Sequence, residues 1–169
     1  MSIEKVTAYF RSMNAEDKIK VFDVSSATVA LAAKALGTEE ARIAKTMSFM
    51  VNGTPVLIVT AGDTKIANSK FKAYFHVKAK MLTAEELTEY VGHAPGGVCP
   101  FALKDGCKVY LDESLKRFDI VYPAAGSANS AVELTPDELE KYSNPVGWVD
   151  VCNIVEKTAE TQISISNYQ

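Results

Sequence analysis

Apolar positions fall at helical spacing from the start of the chain. Ile3, Val6, Phe10 and Met13 recur behind Ser2, which can cap them, so the chain opens with a helix. Val21, Phe22 and Val24 form a short β-branched run that predicts a strand. Ser25 or Ser26 then caps a second helix, Thr28 to Leu36, stopped by Gly37. Thr38 restarts a helical turn with Glu39 and Glu40 near its positive end, and this turn hands over to a strand at Lys45. Thr46–Val51 and Pro55–Thr60 are β-rich runs around Asn52-Gly53, the dipeptide that suits a tight hairpin.

Ala61-Gly62-Asp63 turns the chain, and Ser69–Phe75 reads as helical. Thr83 with Glu86, and Thr135 with Glu138, are capping boxes; Pro136 follows the second at the first helical position and opens a short helix to Tyr142. Between them lies a loop poor in helix and strand formers, Gly92 to Pro100. Further strands are expected at Lys108–Leu111, Ile120–Tyr122 and Ala131–Leu134, with a last one at Trp148–Val151. This alternation predicts an α+β fold: a mixed, barrel-like β-sheet of about six to seven strands flanked by short helices. Residues 1–152 form a single domain on this reading, and residues 153–169 form a polar, loosely held tail.

Composition narrows the class without changing that picture. With 169 residues, 47% hydrophobic and 23% charged, the chain can build one real core. It has 18 basic and 21 acidic side chains, which disfavours wrapping of a long duplex, and no DNA partner is expected. No apolar stretch suits a signal peptide or a membrane span. Three widely spaced cysteines, Cys99, Cys107 and Cys152, do not suit a disulfide framework. A cytoplasmic location follows as the expectation.

Four constellations bear on chemistry. Lys45 is followed by Thr46 and flanked by Ile43, Ala44, Met47 and Phe49, so its stem lies beside core residues. A lysine at such a junction is ordinarily a solvated charge. An ammonium against a low-dielectric wall, however, interacts strongly with a phosphate or a developing oxyanion. The loop Gly96-Gly97-Val98-Cys99-Pro100 carries paired glycines that let a ligand approach the backbone and leave N–H groups free to donate. It can equally be a plain connection. Cys99 and His93 are the one close Cys–His pair; a thiolate–imidazole nucleophile needs contact in space, and a buried Cys is commonly a small hydrophobe. No C-x-x-C or H-x-x-x-H spacing occurs, so neither a metal nor a cofactor is expected. Finally, Lys65, Lys70, Lys72, Lys78 and Lys80 occur with no acid among them, interleaved with Phe71, Tyr74, Phe75 and His76. The rest of the chain carries 13 basic against 21 acidic residues, a balance of −8. Such a patch suits a few phosphates, or else is a solvated helix face whose aromatics pack inward.

In this order and spacing the landmarks resemble the YbaK family, stand-alone relatives of the editing insertion domain of bacterial prolyl-tRNA synthetase. They are Ala44-Lys45-Thr46, Thr60-Ala61-Gly62-Asp63, Val91 to Phe101, Ala125-Gly126-Ser127-Ala128-Asn129 and Val132-Glu133-Leu134-Thr135, within residues 20–151. The resemblance implies hydrolysis of mischarged aminoacyl-tRNA, with alanine or cysteine on tRNA for proline as the leading substrates and prolyl-tRNA synthetase as a candidate partner. The family lysine maps onto Lys45 and the family Gly-x-x-x-Pro loop onto Gly96 to Pro100, making Lys45, Gly96, Gly97 and Pro100 the catalytic candidates. Thr46, Asp63, His93, Val98, Cys99, Ser127 and Asn129 are the substrate-lining candidates, and the five lysines would seat the acceptor end of the tRNA. Where the family commonly has a basic residue between two glycines, this chain has Gly126-Ser127-Ala128-Asn129, which bears on which amino acid is removed. Two rival classes are a non-catalytic module binding aminoacyl-tRNA or a synthetase, and a thiol hydrolase working through Cys99.

Overall fold

A computed structural model describes residues 2–155. Helix α1 (Ser2–Ser12) buries Val6 and Phe10, as its spacing requires. Strand β1 (Ile19–Val21) lies earlier than the Val21–Val24 run suggests, because its partner sets the register: Ile19 pairs with Val132 and Val21 with Ser130 of β7 (Ser130–Val132). Val21 and Val24 are left exposed. Helix α2 (Val29–Leu36) ends on Gly37 at φ 70°, as expected. Its cap, however, is the Thr28 hydroxyl, which accepts from the Leu31 N–H. Ser26 is occupied elsewhere, its N–H donating to the Ala128 carbonyl and its hydroxyl to that of Ser130.

The hairpin forms as its sequence demands. Strand β2 (Ile43–Val51) and β3 (Thr54–Ala61) are antiparallel, with Val51 opposite Thr54 and both Asn52 and Gly53 at positive φ. The short helical turn ends at Arg42, so Lys45 lies inside β2 rather than at its start. A strand absent from the sequence reading follows, β4 (Thr64–Ile66), then α3 (Asn68–Phe75). Helix α4 (Ala84–Glu86) starts on the Thr83 capping box and widens into a π-type turn over Leu87–Val91. The remaining elements are β5 (Lys108–Asp112), β6 (Tyr122–Pro123), β7, α5 (Pro136–Ser143) on its capping box, β8 (Gly147–Val149) and β9 (Cys152–Ile154). The single last strand expected at Trp148–Val151 is two strands. At the break between them, the Asp112 carboxylate accepts from the Val151 N–H at 2.9 Å. Strand β9 pairs with β4, so Asn153 and Ile154, assigned to the tail, belong to a ladder. The rest of that tail, from residue 156, lies outside the described residues.

The main sheet runs β6-β2-β3-β5-β8; β2–β3 is antiparallel and the other pairings are parallel. Bridges Val121–Leu134 and Ala124–Ala131 attach β7 beside β6, and β1 follows, giving seven strands in a curled row. The sheet has a core on each face. Leu57 and Val59 of β3 join Phe10, Phe101, Leu111 and Leu134 on one side, whereas Val56 and Ile58 join Phe49, Phe71, Phe75 and Val151 on the other. This is the two-residue period of a strand buried on both faces. It also turns consecutive residues 45 and 46 to opposite sides of β2.

Candidate active site

Two segments cover the outer edge of β2 and leave a gap between them. Strand β6 pairs at Ile43 and Ala44. Further on, the Lys80 carbonyl accepts from the Met50 N–H and the Ser48 carbonyl from the Leu82 N–H, with Phe49 bridging to Met81. Lys45, Thr46 and Met47 occupy the gap, and clefts open on both sides of it.

The first cleft, about 240 Å³, is walled by Lys45 and Thr46 of β2, by Pro95, Gly96 and Val98 of the glycine loop, and by the start of α2. Its remaining surface is largely apolar, from Val29, Ala32, Leu87, Ala124 and Ala131, with Ser26, Thr28, Tyr122 and Ser130 supplying hydroxyls. Among the described residues, no carboxylate lines it. The structure thus brings Lys45 and part of the loop together, as the sequence suggested. The Lys45 amine donates to the Thr64 carbonyl, which leaves two of its three N–H bonds for other acceptors. Burial holds its pKa below the ordinary lysine value, while the Cys152 sulfur and the Asp63 carboxylate pull it back up. Thr46 Oγ1 is sealed from solvent and has no hydrogen-bond partner among the described residues. A buried hydroxyl without a partner is costly, so a ligand that reached this atom would gain a hydrogen bond the fold does not supply.

The loop divides between two surfaces. The N–H groups of Gly96 and Val98 have no acceptor among the described residues, whereas the Gly97 N–H closes a turn on the Ala94 carbonyl. Gly97 lines a separate shallow cleft with His93, Gly126 and Ser127. There a Cβ on Gly97 would stand 2.8 Å from the Gly126 carbonyl carbon and the Ser127 nitrogen, so residue 97 is glycine for packing. Pro100 is buried and lines neither cleft, so its catalytic assignment is replaced by a structural place at the loop's end.

Several lining candidates have other employment. The Asp63 carboxylate receives both Arg117 terminal nitrogens, at 2.6 and 2.9 Å, and ties the β3–β4 turn to the 113–117 turn. Ser127 donates to the Asn129 side chain, and Asn129 donates to the Phe22 carbonyl, which bolts the residue 126–130 segment to the end of β1. The His93 Nε2 lies 2.8 Å from the Phe101 carbonyl, which can only accept, so the ring carries its proton there and cannot take one from Cys99 at 3.5 Å. Cys99 is wholly buried, and desolvation pushes its thiol pKa up to about 12. Both features oppose a thiolate nucleophile at this position. Among the described residues, no three His, Cys, Asp or Glu side chains cluster as metal ligands, and no helix is long and apolar enough to cross a membrane.

Comparison with known proteins decides the family. Residues 23–142 match the model of the aminoacyl-tRNA editing domain. The chain belongs to that family. This editing domain is 50% identical over 153 residues to the uncharacterized protein YwhH of Bacillus subtilis (strain 168), spanning 90% of this chain and 98% of that one. It is 30% identical over 95 residues to a proline–tRNA ligase of Limosilactobacillus fermentum, covering 53% of this chain but only 17% of the ligase. Among solved structures, a protein proposed as a trans-editing enzyme for prolyl-tRNA synthetase superposes with a TM-score of 0.80 at 25% identity, over 92% of this chain and 98% of that one. The fold is therefore the mixed, half-barrel fold of YbaK-type editing domains. Residues of the editing domain that sequence reasoning passed over are Ser26, Thr28, Tyr122 and Ser130. Only Thr28 had a local signal, its place just before an apolar helical run.

Proposed function

We propose that this editing domain is a stand-alone aminoacyl-tRNA deacylase that hydrolyses the ester of mischarged tRNA, with alanine or cysteine on tRNA for proline as its substrates. The supporting observation is the first cleft itself, a small, largely apolar space whose walls include Lys45 of β2 together with Gly96 and Val98 of the glycine loop. A synthetase pocket rejects a smaller or near-isosteric amino acid by only about 1–3 kcal/mol, so a second sieve of this kind is needed. Prolyl-tRNA synthetase would be the enzyme whose errors it removes.

An aminoacyl ester is already activated, so positioning and charge stabilisation suffice for its hydrolysis. The spare Lys45 N–H bonds would hold the 3′-terminal phosphate or the ester carbonyl. The Gly96 and Val98 amides would receive the oxyanion as water attacks, assisted by the ribose hydroxyl next to the ester. Alanine and cysteine would meet walls built from Ala32, Ala124 and Ala131.

The test is hydrolysis of a panel of mischarged tRNAs by wild type and Lys45→Ala. The expected result is turnover of Ala- and Cys-tRNA for proline, reduced at least 100-fold in the variant, with little change in Tm. Equal rates would remove Lys45 from the mechanism, and saturable tRNA binding without turnover would replace the deacylase by a binding module.

A further inference from the structure

On the other side of the Lys45–Met47 gap lies a second cleft of about 290 Å³, which ester hydrolysis in the first cleft does not use. Its walls are Lys45, Met47, Lys65, Ile66, Ala79 and Met81, with Asn68 at one end. It shares Lys45 with the first cleft. Through Asn68 and Ala79 it also joins a third depression, whose other lining residues are Ser69, Lys72 and Lys78. Shared wall residues join the three into a candidate groove across the edge of β2, and among the described residues no Asp or Glu lines any part of it.

The second cleft sets Met47, Ile66, Ala79 and Met81 beside Lys45 and Lys65, and the third depression adds Lys72 and Lys78. Met81 is 55% exposed, a large apolar side chain left in contact with water beside Met47 and Ile66. Thioether side chains adapt to flat surfaces and are favourable against π faces. The Asn68 amide can both donate to and accept from a base edge. The lysines, by contrast, are not equivalent. Lys70 is held by the Asp150 carboxylate at 3.1 Å and the Cys152 carbonyl at 3.0 Å, so it braces α3 against β9. Lys72 and Lys78 are exposed and open on the groove, while Lys80 lines none of the three clefts.

We propose that the second cleft is a nucleobase subsite and that Lys72 and Lys78 seat the backbone phosphates beyond it, so that an unpaired RNA 3′ end runs along the groove into the first cleft. This deepens the deacylase reading and rests on it. Apolar side chains beside lysines suit the bases and phosphates of single-stranded nucleic acid, and the strand would cross β2 where its edge is bare. Lys65 belongs to the track and Lys70 does not.

The experiment compares Met81→Asp and the double variant Lys72→Ala/Lys78→Ala with Lys108→Ala/Lys141→Ala, a control that matches the charge change of the double variant. Two substrates are used: full-length mischarged tRNA and the same amino acid esterified to adenosine alone. The groove variants are expected to lose at least tenfold more kcat/KM on tRNA than on the adenosine ester, with the loss in KM. In the double lysine variant the dependence of log kcat/KM on log salt flattens by about 1.4, the value for two single-strand phosphates. Fluorescence anisotropy with uncharged tRNA gives a second readout, a tenfold rise in Kd for both groove variants. If wild type hydrolyses the esters and the groove variants follow the control, the groove assignment is overturned and the deacylase stands. If wild type hydrolyses no ester but tRNA binding falls in the groove variants, the groove stands and the deacylase is overturned.

Discussion

Lys45 and Cys99 illustrate how burial sorts reactive residue types. Both were chemical candidates from sequence, and desolvation acts on both, but in opposite functional directions. For Lys45 it raises the value of the charge to an incoming anion, because the amine keeps N–H bonds to spare. For Cys99 it removes the reactive form, since a thiol near pKa 12 holds almost no thiolate at neutral pH. Alkylation by iodoacetamide at pH 7.5 should therefore leave Cys99 unmodified in the folded protein, as read by peptide mass. Cys99→Ala should keep deacylation within about threefold of wild type while costing about 1–2 kcal/mol for the cavity. Loss of activity on either treatment would restore the thiol hydrolase. The lysine and the loop were legible as a site because a charge amid apolar neighbours and a glycine pair break the local pattern. The division of the loop, with Gly96 and Val98 on one surface and Gly97 on another, was not legible. It depends on what the backbone of Gly126 and Ser127 leaves room for.

At the scale of elements, signals written within four or five residues held. The Thr83–Glu86 and Thr135–Glu138 boxes and the Asn52-Gly53 turn are each complete in the structure, because every bond they need lies inside the motif. Strands β4 and β9 have three residues each and exist only through pairing with each other across about ninety residues of chain, so no local run announces them. The Gly92–Pro100 loop follows the same logic, since the contact that shapes it is with the 126–127 backbone. A methyl group at residue 97 would meet that backbone at 2.8 Å, where neither side can yield cheaply. Gly97→Ala should therefore cost about 1–3 kcal/mol in urea unfolding and lower kcat/KM at least tenfold by displacing Gly96 and Val98. Gly147→Ala, with nothing within 4 Å of the new methyl, should be near neutral. Equal effects of the two would show that the loop is not held by this contact.

Across the whole molecule, one buried group senses how the parts meet. His93 lies where α1, the glycine loop and the 126–127 turn converge: the Ser2 hydroxyl donates to the Gly92 carbonyl, and Gly126 packs against the Ser2 backbone. The ring is 1% exposed, its Nε2 proton is given to the Phe101 carbonyl, and its Nδ1 has no partner among the described residues. Burial lowers its pKa below the ordinary histidine value; the Phe101 carbonyl opposes this, and the Lys5 charge adds to it. The unfolded chain, with a pKa of about 6.5, then binds a proton over a range where the folded one does not. Stability from this group is complete above about pH 6.5 and is lost as pH falls below it, by at most about 1.4 kcal/mol per pH unit until the folded pKa is reached. The carboxylates with lowered pKa values, Glu16, Asp119 and Glu138, contribute in the same direction but only near and below their ordinary values of about 4, so they leave this window clear. Urea midpoints should thus decline between pH 6.5 and 5.5 in wild type and stay level in His93→Gln, whose amide takes up no proton. A flat wild-type profile, or an equal decline in the variant, would show that the junction tolerates a charged ring.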